Sequence, residues 1–256
     1  MEQVSAYLIT EGTAVTGWAD GLPARVVIPD GITAIAPGAF YECAVLEEVT
    51  IPGSVAVIGA EVWREKDDED IDAFGKCPAL RSVTIGQGVR TVGVGAFSGC
   101  TSLARVAIPD SVTRIGMGAF FGCASLAEVT VPSGVREIAQ GTFVRCTSLA
   151  RVVIPDSVTR IGDGAFNGCA SLEEVTVPGS VTVIGAGAFC ACASLARVTI
   201  PGSVIAIGDG AFSGCGRLRE VRFDGSVAQW CVINKGVDAV SSGVTVRCAD
   251  GDITVD

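Results

Sequence analysis

Residues 172–192 read LEEVTVPGSVTVIGAGAFCAC, and this stretch contains every feature that recurs along the chain. Valine and threonine alternate over 175–177 as in a half-buried strand, and Pro178, which has no N–H to donate, ends that strand. The second β-branched segment, 181–184, predicts another short strand on the other side of the same coil. Residues 188–192 leave room for a single turn, 3₁₀ rather than α.

The same pattern returns every 23 residues, with one first interval of 34. The repeat aligns a phenylalanine column, a cysteine column and a leucine column: Phe40, Phe74, Phe97, Phe120, Phe143, Phe166, Phe189, Phe212; Cys43, Cys77, Cys100, Cys123, Cys146, Cys169, Cys192, Cys215; Leu46, Leu80, Leu103, Leu126, Leu149, Leu172, Leu195, Leu218. A coil this short cannot bury its own apolar face, so its neighbours must stack on it. The sequence therefore predicts a mainly β solenoid of about eight to nine coils with short parallel strands.

Both ends of the chain depart from the repeat, as the exposed ends of a solenoid require. We expect an N-terminal cap over residues 1–25, repeats over 26–222 and a C-terminal cap over 223–256, with a hairpin in each cap. Trp230 occupies the register position of Ile207, which predicts that the ninth coil begins and is then abandoned. A longer period is also visible, because residues 105–127 match residues 151–173. The unit of duplication is therefore 46 residues.

Composition excludes several classes of function. The chain has no histidine, which removes imidazole bases, Ser/His/Asp triads and HExxH zinc sites. Its net charge of −10 makes nucleic acid an unfavourable partner. No apolar run is long enough to span a membrane, and the start of the chain does not resemble a signal peptide. We expect a monomer without cofactors, metals or catalytic residues.

The pattern LxxVx(I/V)PxxVxxIGxxAFxxC resembles the BspA-type leucine-rich repeat, over roughly four-fifths of the chain. The segment 223–230 is similar to the C-terminal cap common in that family. The resemblance implies a right-handed α/β-type leucine-rich-repeat solenoid that binds protein or extracellular-matrix ligands, often as an adhesin on bacterial surfaces. An Asn or Cys ladder follows the strand in commoner leucine-rich repeats. Here that column is mostly serine, with one glycine, and its members are Ser54, Ser111, Gly134, Ser157, Ser180 and Ser203.

The second residue after each leucine should face solvent, and from Arg105 onward this column alternates in sign. The predicted binding face combines the column with its outward neighbours: Arg105, Glu128, Thr130, Arg151, Glu174, Thr176, Arg197, Thr199, Glu220 and Arg222. Opposite charges on adjacent strands attract by about 0.2–1 kcal/mol. The column is therefore either a self-neutralising ladder that holds register or a striped docking surface for a partner.

An acidic insert of about eleven residues interrupts the repeat at about 60–72. Its seven acids and two bases make it strongly negative. Asp68, Asp70 and Asp72 could begin a calcium loop, but an EF-hand would require Gly and Glu where Ala73 and Ala79 stand. The alternatives are a solvated acidic loop and a partner-contacting loop around Trp63, with Trp63, Asp68 and Asp70 as the candidate contacts.

Eight of the eleven cysteines share one column, where stacked Cβ atoms run parallel rather than converging. We expect mostly free, buried thiols, with Cys231 and Cys248 as the one pair worth considering for a disulfide. Free thiols and the missing signal peptide favour the cytoplasm, whereas the family resemblance favours the cell surface or an extracellular location.

The leading hypothesis is a non-catalytic binding module. A carbohydrate-active enzyme or carbohydrate-binding solenoid is the alternative, because two carboxylates can cleave glycosides without histidine. An ice-binding solenoid, suggested by the threonine column, is disfavoured by the charged stripe beside it.

Overall fold

The computed structural model describes residues 5–61 and 72–255, which form a single stack of coils. Each coil carries two short strands on different sides, so two parallel ladders run along the stack. We call these ladders face A and face B. The arrangement confirms the mainly β solenoid predicted from the repeat.

Strands of the two faces alternate along the chain. Face A contains β3 (Arg25–Val27), β5 (Glu48–Ile51), β7 (Ser82–Ile85), β9 (Arg105–Ala107), β11 (Glu128–Thr130), β13 (Arg151–Val153), β15 (Glu174–Thr176), β17 (Arg197–Ile200), β19 (Glu220–Phe223) and β21 (Thr245–Cys248). Face B contains β2 (Ala14–Trp18), β4 (Ala34–Ile35), β6 (Val57–Ile58), β8 (Thr91–Val92), β10 (Arg114–Ile115), β12 (Glu137–Ile138), β14 (Arg160–Ile161), β16 (Val183–Ile184), β18 (Ala206–Ile207) and β20 (Asn234–Lys235). Each face thus has ten described strands, because both terminal segments extend the stack beyond the repeats themselves.

The core is built from the aligned columns. All eight column phenylalanines are fully buried, and successive rings stack with centroids 4.7–5.5 Å apart and planes within 10° of each other. The turn beside each ring closes by i to i+3 bonds, for example from Cys192 N–H to Phe189 C=O. Turns of that geometry are short enough to let the coils approach to the spacing of hydrogen-bonded strands.

The cysteine column packs under the phenylalanine turns, and from Cys77 onward each thiol of the column donates to a backbone carbonyl. The Cys100 Sγ lies 2.9 Å from the Phe74 carbonyl oxygen, and the Cys146 Sγ lies 3.2 Å from that of Phe120. Burial raises the pKa of Cys146 to about 12 and that of Cys215 to about 11. The column thiols are therefore packing groups of low nucleophilicity.

All eleven cysteines are free thiols in the structure. The expectation of mostly free, buried thiols is thus confirmed for the column. Cys231 and Cys248, the pair considered for a disulfide, are also free.

Where it carries serine, this column ties a coil to the one before it. Ser157 Oγ donates to the Val135 carbonyl at 2.7 Å, and Ser203 Oγ donates to the Val181 carbonyl at 2.7 Å. Serine thus supplies a bond between coils at the position that Asn or Cys holds in commoner repeats.

Antiparallel strands cover both ends of the stack. Strand β1 (Leu8–Glu11) pairs with β2, and β22 (Gly251–Thr254) pairs with β21. Helix α1 (Val227–Val232) begins at Ser226 with a capping box, in which Gln229 N–H and Ser226 Oγ are 3.2 Å apart. Its buried Trp230 meets Phe223 edge to face at 5.2 Å between ring centroids.

The predicted register of Trp230 is wrong. Ile207 pairs with Lys235, not Trp230, because the α1 turn lengthens this coil before it rejoins the ladder at β20. The coil is therefore completed rather than abandoned.

Helix is scarce in the described part of the chain. The longest helix found there, α1, has six residues, whereas a bilayer-spanning helix needs about 20. No described helix could cross a membrane.

Replacing one ring of the phenylalanine column should cost much more than removing an exposed apolar side chain. We expect Phe166→Ala to lower the free energy of unfolding by about 3–5 kcal/mol, because the ring is fully buried between two stacked rings. Val232→Ala is the control, since Val232 is 82% exposed. Urea unfolding measures both, and equal small effects would contradict a core built on this column.

Candidate functional site

The predicted stripe lies on the outer surface of face A. The register joins Glu128 to Arg151, Glu174 to Arg197 and Arg197 to Glu220 as direct neighbours on adjacent strands. Arg25 and Glu48 add a further rung of opposite charges at the N-terminal side. We use charge stripe for this column from Arg25 to Glu220.

Ion pairs form only near the two ends of the stripe, among the residues that the structure describes. They join Arg25 to Glu48 at 3.4 Å, Arg197 to Glu174 at 3.8 Å and Arg247 to Glu220 at 2.8 Å. All are exposed, so each is worth at most about 1 kcal/mol.

The centre of the stripe is different. Within the described residues, no ion pair engages Arg105, Glu128 or Arg151, although β11 and β13 place Glu128 directly beside Arg151. The self-neutralising interpretation therefore fits the ends, and the centre carries three exposed charges without partners among those residues.

The hydrogen-bonded ladder of face A is broken at two places near this centre. Strands β9 and β11 are not paired, and neither are β13 and β15, so face A divides into described sheets of four, two and five strands, the last including β22. Elsewhere the bond that links such strands is regular, as from the Val131 N–H to the Val153 carbonyl at 3.0 Å. The corresponding bond from the Ile108 N–H to the Thr130 carbonyl is not formed, although both residues are described.

A cleft of about 610 Å³ lies over the first break. Its apolar lining comes from Val106, Ile108, Pro109, Pro132 and their neighbours, and its polar lining from Gln87, Asp110, Glu128, Thr130 and Arg151. We call this the docking cleft. Ile108 is half-buried here, whereas Ile28, Ile51 and Ile200 in the same column are fully buried.

One side chain bridges the docking cleft. Asp110 Oδ1 accepts bonds from the backbone N–H of Ser133 at 3.2 Å and from its hydroxyl at 3.1 Å. These bonds join the two coils beside the broken ladder. The cleft is thus a defined feature with both walls linked, not a gap between independent domains.

The other predicted face residues lie in the cleft or farther along face A. Thr130 and Thr176 are exposed, Thr199 is half-buried, and Arg222 pairs with Asp224 at 3.1 Å. The structure brings Glu128, Thr130 and Arg151 into the cleft lining and leaves Glu174, Thr176, Arg197, Thr199, Glu220 and Arg222 along the adjoining strands.

Neither the cleft nor the breaks in the ladder were predicted from the repeat pattern. A signal was present, because the incoming strand at each break is followed by valine, Val131 or Val177, where other coils carry isoleucine or phenylalanine. A strand with a smaller buried side chain fills less of the core at that level.

The insert candidates Trp63, Asp68 and Asp70 lie outside the described residues. Asp72 is described, and burial raises its pKa to about 6, opposed by hydrogen bonding to Ser98 and by the charge of Lys76. Across residues 5–61 and 72–255, no group of three or more acidic or cysteine side chains is placed to hold a metal ion.

Comparison with known proteins identifies the repeat. The family model for the BspA type leucine rich repeat region matches in six copies, over residues 24–67, 70–196 and 138–230. No curated protein matches the chain.

Solved structures of bacterial leucine-rich repeat proteins are similar to this chain. A Treponema pallidum leucine rich repeat protein is 29% identical, with 95% of this chain and 89% of that one covered and a TM-score of 0.46. A leucine rich cell surface protein from Faecalibacterium prausnitzii is 24% identical, with 89% and 97% covered and a TM-score of 0.38. The pneumococcal vaccine antigen PcpA is 14% identical, with 97% and 95% covered and a TM-score of 0.39.

A double-mutant cycle should separate the paired end of the charge stripe from its unpaired centre. We expect Glu174→Ala and Arg197→Ala to show a favourable coupling of about 0.2–1 kcal/mol. Arg105→Ala and Glu128→Ala should show none, because no ion pair joins these two described residues. Equal coupling in the two cycles, measured by urea unfolding, would mean that the whole stripe only holds register.

Asp72 should make stability depend on pH. Its pKa is raised from 3.8 to about 6 by burial, so the fold favours the protonated carboxyl. That contribution is complete below about pH 4 and is lost as pH rises through about 6. The stability of Asp72→Asn relative to wild type should therefore increase between pH 4 and pH 7 in urea titrations. A difference independent of pH would contradict the shift.

Proposed function

Because the chain belongs to the BspA-type leucine-rich repeat family, we propose that it is a non-catalytic binding module whose protein or extracellular-matrix ligand docks on face A. The observation that supports this most is the docking cleft, which Glu128 and Arg151 line and which Arg105 adjoins through its chain neighbour Val106. The apolar floor of the cleft thus lies beside three charges that form no ion pair with any described residue.

This combination suits a protein ligand. Protein interfaces place apolar contacts at their centre and polar or charged groups around them, and arginine is enriched at their strongest contacts. The floor of the cleft supplies Val106, Ile108 and Pro132, while Arg151 and Glu128 stand beside it. A partner with complementary charges could pair with both signs without first breaking an ion pair.

The predicted binding face is slightly shorter than a typical stable interface, so a ligand docked there would also contact neighbouring strands of face A. The predicted binding face extends over six strands, from β9 to β19, which at about 4.8 Å per strand spacing is about 24 Å. A stable interface buries about 800 Å² on each partner, equivalent to a patch roughly 28 Å across. The docking cleft would be at one end of such a patch, with the paired stripe continuing from it.

A carbohydrate-active enzyme is the second candidate, because Asp110 and Glu128 line one cleft. Glycoside cleavage requires a general acid whose carboxyl is held protonated by burial. Both of these side chains are exposed. Binding of a carbohydrate without catalysis is compatible with the same surface and is one outcome of the test below.

BspA-type repeat proteins are typically surface-associated, and we infer the same location for this chain. The cysteine column does not oppose this location. Its thiols are buried and their pKa values are raised, so oxidants in either compartment would react with them slowly.

Binding should depend on the centre of the stripe. The experiment screens the wild-type chain against arrays of extracellular-matrix proteins and glycans, then repeats each interaction with the triple variant R105A/E128A/R151A. We expect a protein ligand whose affinity falls at least about 10-fold, because close charge pairs at an interface each contribute about 1.5 kcal/mol or more. Thermal unfolding of the variant should match that of the wild type.

The matched control is R25A/E48A, which removes charges from an ion-paired rung of the same stripe. It should bind as the wild type does. A wild-type chain that binds nothing, or equal losses in both variants, would refute docking at the cleft, whereas exclusive binding to glycans would favour the carbohydrate alternative.

A further inference from the structure

The junction between coil 105–127 and coil 128–150 is the one place in the described stack where neighbouring strands of both faces fail to pair. Strands β9 and β11 are unpaired on face A, and β10 and β12 are unpaired on face B. We propose that this junction is a hinge, held open by the methyl group of Ala139, that sets the width of the docking cleft. Its link to binding rests on the proposed function, but the hinge itself does not.

The evidence on face B is steric. Most coils carry glycine directly after the face B strand, at Gly93, Gly116, Gly162, Gly185 and Gly208. A Cβ added at any of these glycines would approach the preceding coil more closely than 3.0 Å, a distance that real Cβ atoms essentially never show. Coil 128–150 has Ala139 at this position. With that Cβ present, the coil cannot stack on Gly116 at the ordinary distance.

The bond expected at this position is correspondingly missing. Gly93, Gly116, Gly162, Gly185 and Gly208 each donate their N–H to a carbonyl of the preceding coil at 2.8 Å. Ala139 makes no such bond to Ile115, although both residues are described. The methyl group of Ala139 thus accounts for the break between β10 and β12.

Ala36 also occupies this column and does form the bond, to the Val15 carbonyl at 2.8 Å. Ala36 and Ala139 differ in the segment of the preceding coil on which each of them stacks. Ala36 stacks on the hairpin strand β2, which remains extended through Trp18, whereas the repeated coils turn at this level. An alanine is therefore excluded only where it faces a turn.

Two further departures weaken the same junction. Val131 is smaller than the isoleucine of most coils, and Gly134 replaces a serine whose hydroxyl would bond to the preceding coil. The junction between coils 151–173 and 174–196 provides a comparison. It has Val177 and an unpaired face A, but its face B ladder is intact because Gly185 is present.

The third side of the coil remains closed and supplies the pivot. Phe120 N–H donates to the Thr142 carbonyl at 2.9 Å, and Gly122 N–H donates to the Val144 carbonyl at 2.7 Å. The Phe120 and Phe143 rings stack at 5.5 Å, as in neighbouring coils. The two halves of the solenoid are thus joined by backbone bonds along one edge, whereas the strands of the other two edges are unpaired and, among the described residues, only the Asp110–Ser133 bonds link the coils across the docking cleft.

Both open edges carry a cleft. The docking cleft lies on face A, and a second cleft of about 420 Å³, lined by Arg114, Arg136, Glu137 and Ala139, lies on face B. Rotation about the phenylalanine edge changes the width of both. A small movement of one half against the other would therefore narrow the docking cleft around a ligand or widen the cleft and release the ligand.

Hydrogen exchange tests the hinge without any ligand. In the wild type, the amides of Ala139 and Ile108 should exchange at least about 10-fold faster than their counterparts at Gly185 and Val131, since they lack ladder bonds. Ala139→Gly should protect residue 139 by a similar factor, and A139G/V131I should also protect Ile108. The reverse change, Gly162→Ala, should expose the amide of residue 162 in a junction that is closed in the wild type.

Unchanged exchange in both Ala139→Gly and Gly162→Ala would overturn the steric explanation. Fast exchange of the Phe120 and Gly122 amides, at the rate of Ala139, would overturn the pivot, because the whole junction would then be open. If exchange changes as expected but A139G/V131I binds the array ligand as the wild type does, the hinge stands and its role in docking fails. Loss of binding only in the charge variant would separate the two proposals in the same way.

Discussion

Stacking of one coil on the next at the spacing of hydrogen-bonded strands is the constraint on which this molecule depends. The phenylalanine rings repeat at 4.7–5.5 Å. The strand ladders and the hydrogen bonds donated by the cysteine thiols repeat with them. The residue type in each repeated column suits that spacing for a different reason. Phenylalanine fills the interior of the coil, cysteine donates to the neighbouring turn, and glycine removes a Cβ for which there is no room.

The outward positions are free of this constraint, and function can be placed on them. Along face A, opposite charges on adjacent strands form ion pairs near the ends, where the ladder is continuous. At the centre, where the ladder is broken, Arg105, Glu128 and Arg151 have no partner among the described residues. The two interpretations of the stripe therefore apply to different parts of it, and the proposed binding site coincides with the part that forms no ion pairs among the described residues.

The same departure from regular stacking would give the binding surface its shape. A perfectly regular solenoid presents a smooth sheet, on which no position differs from the next. Here a methyl group at Ala139 would separate two coils whose contact the smaller Val131 also weakens, and clefts lie at this junction on both faces. Residues that face away from a ligand can in this way decide where it docks.

The sequence by itself determined the period, the two strands in each coil, the buried columns and the outward position of the charge stripe. Such features follow from periodicity, which is visible directly in the order of residues along the chain. It also contained the exceptions Val131, Gly134 and Ala139, but it did not show their effect. Only the tertiary structure decided which neighbouring strands pair and which charges form ion pairs. It also decided that Lys235, rather than Trp230, lies beside Ile207 on the next strand. These outcomes depend on distances between coils that are 23 or more residues apart in the chain, where one methyl group or one helical turn changes the contact.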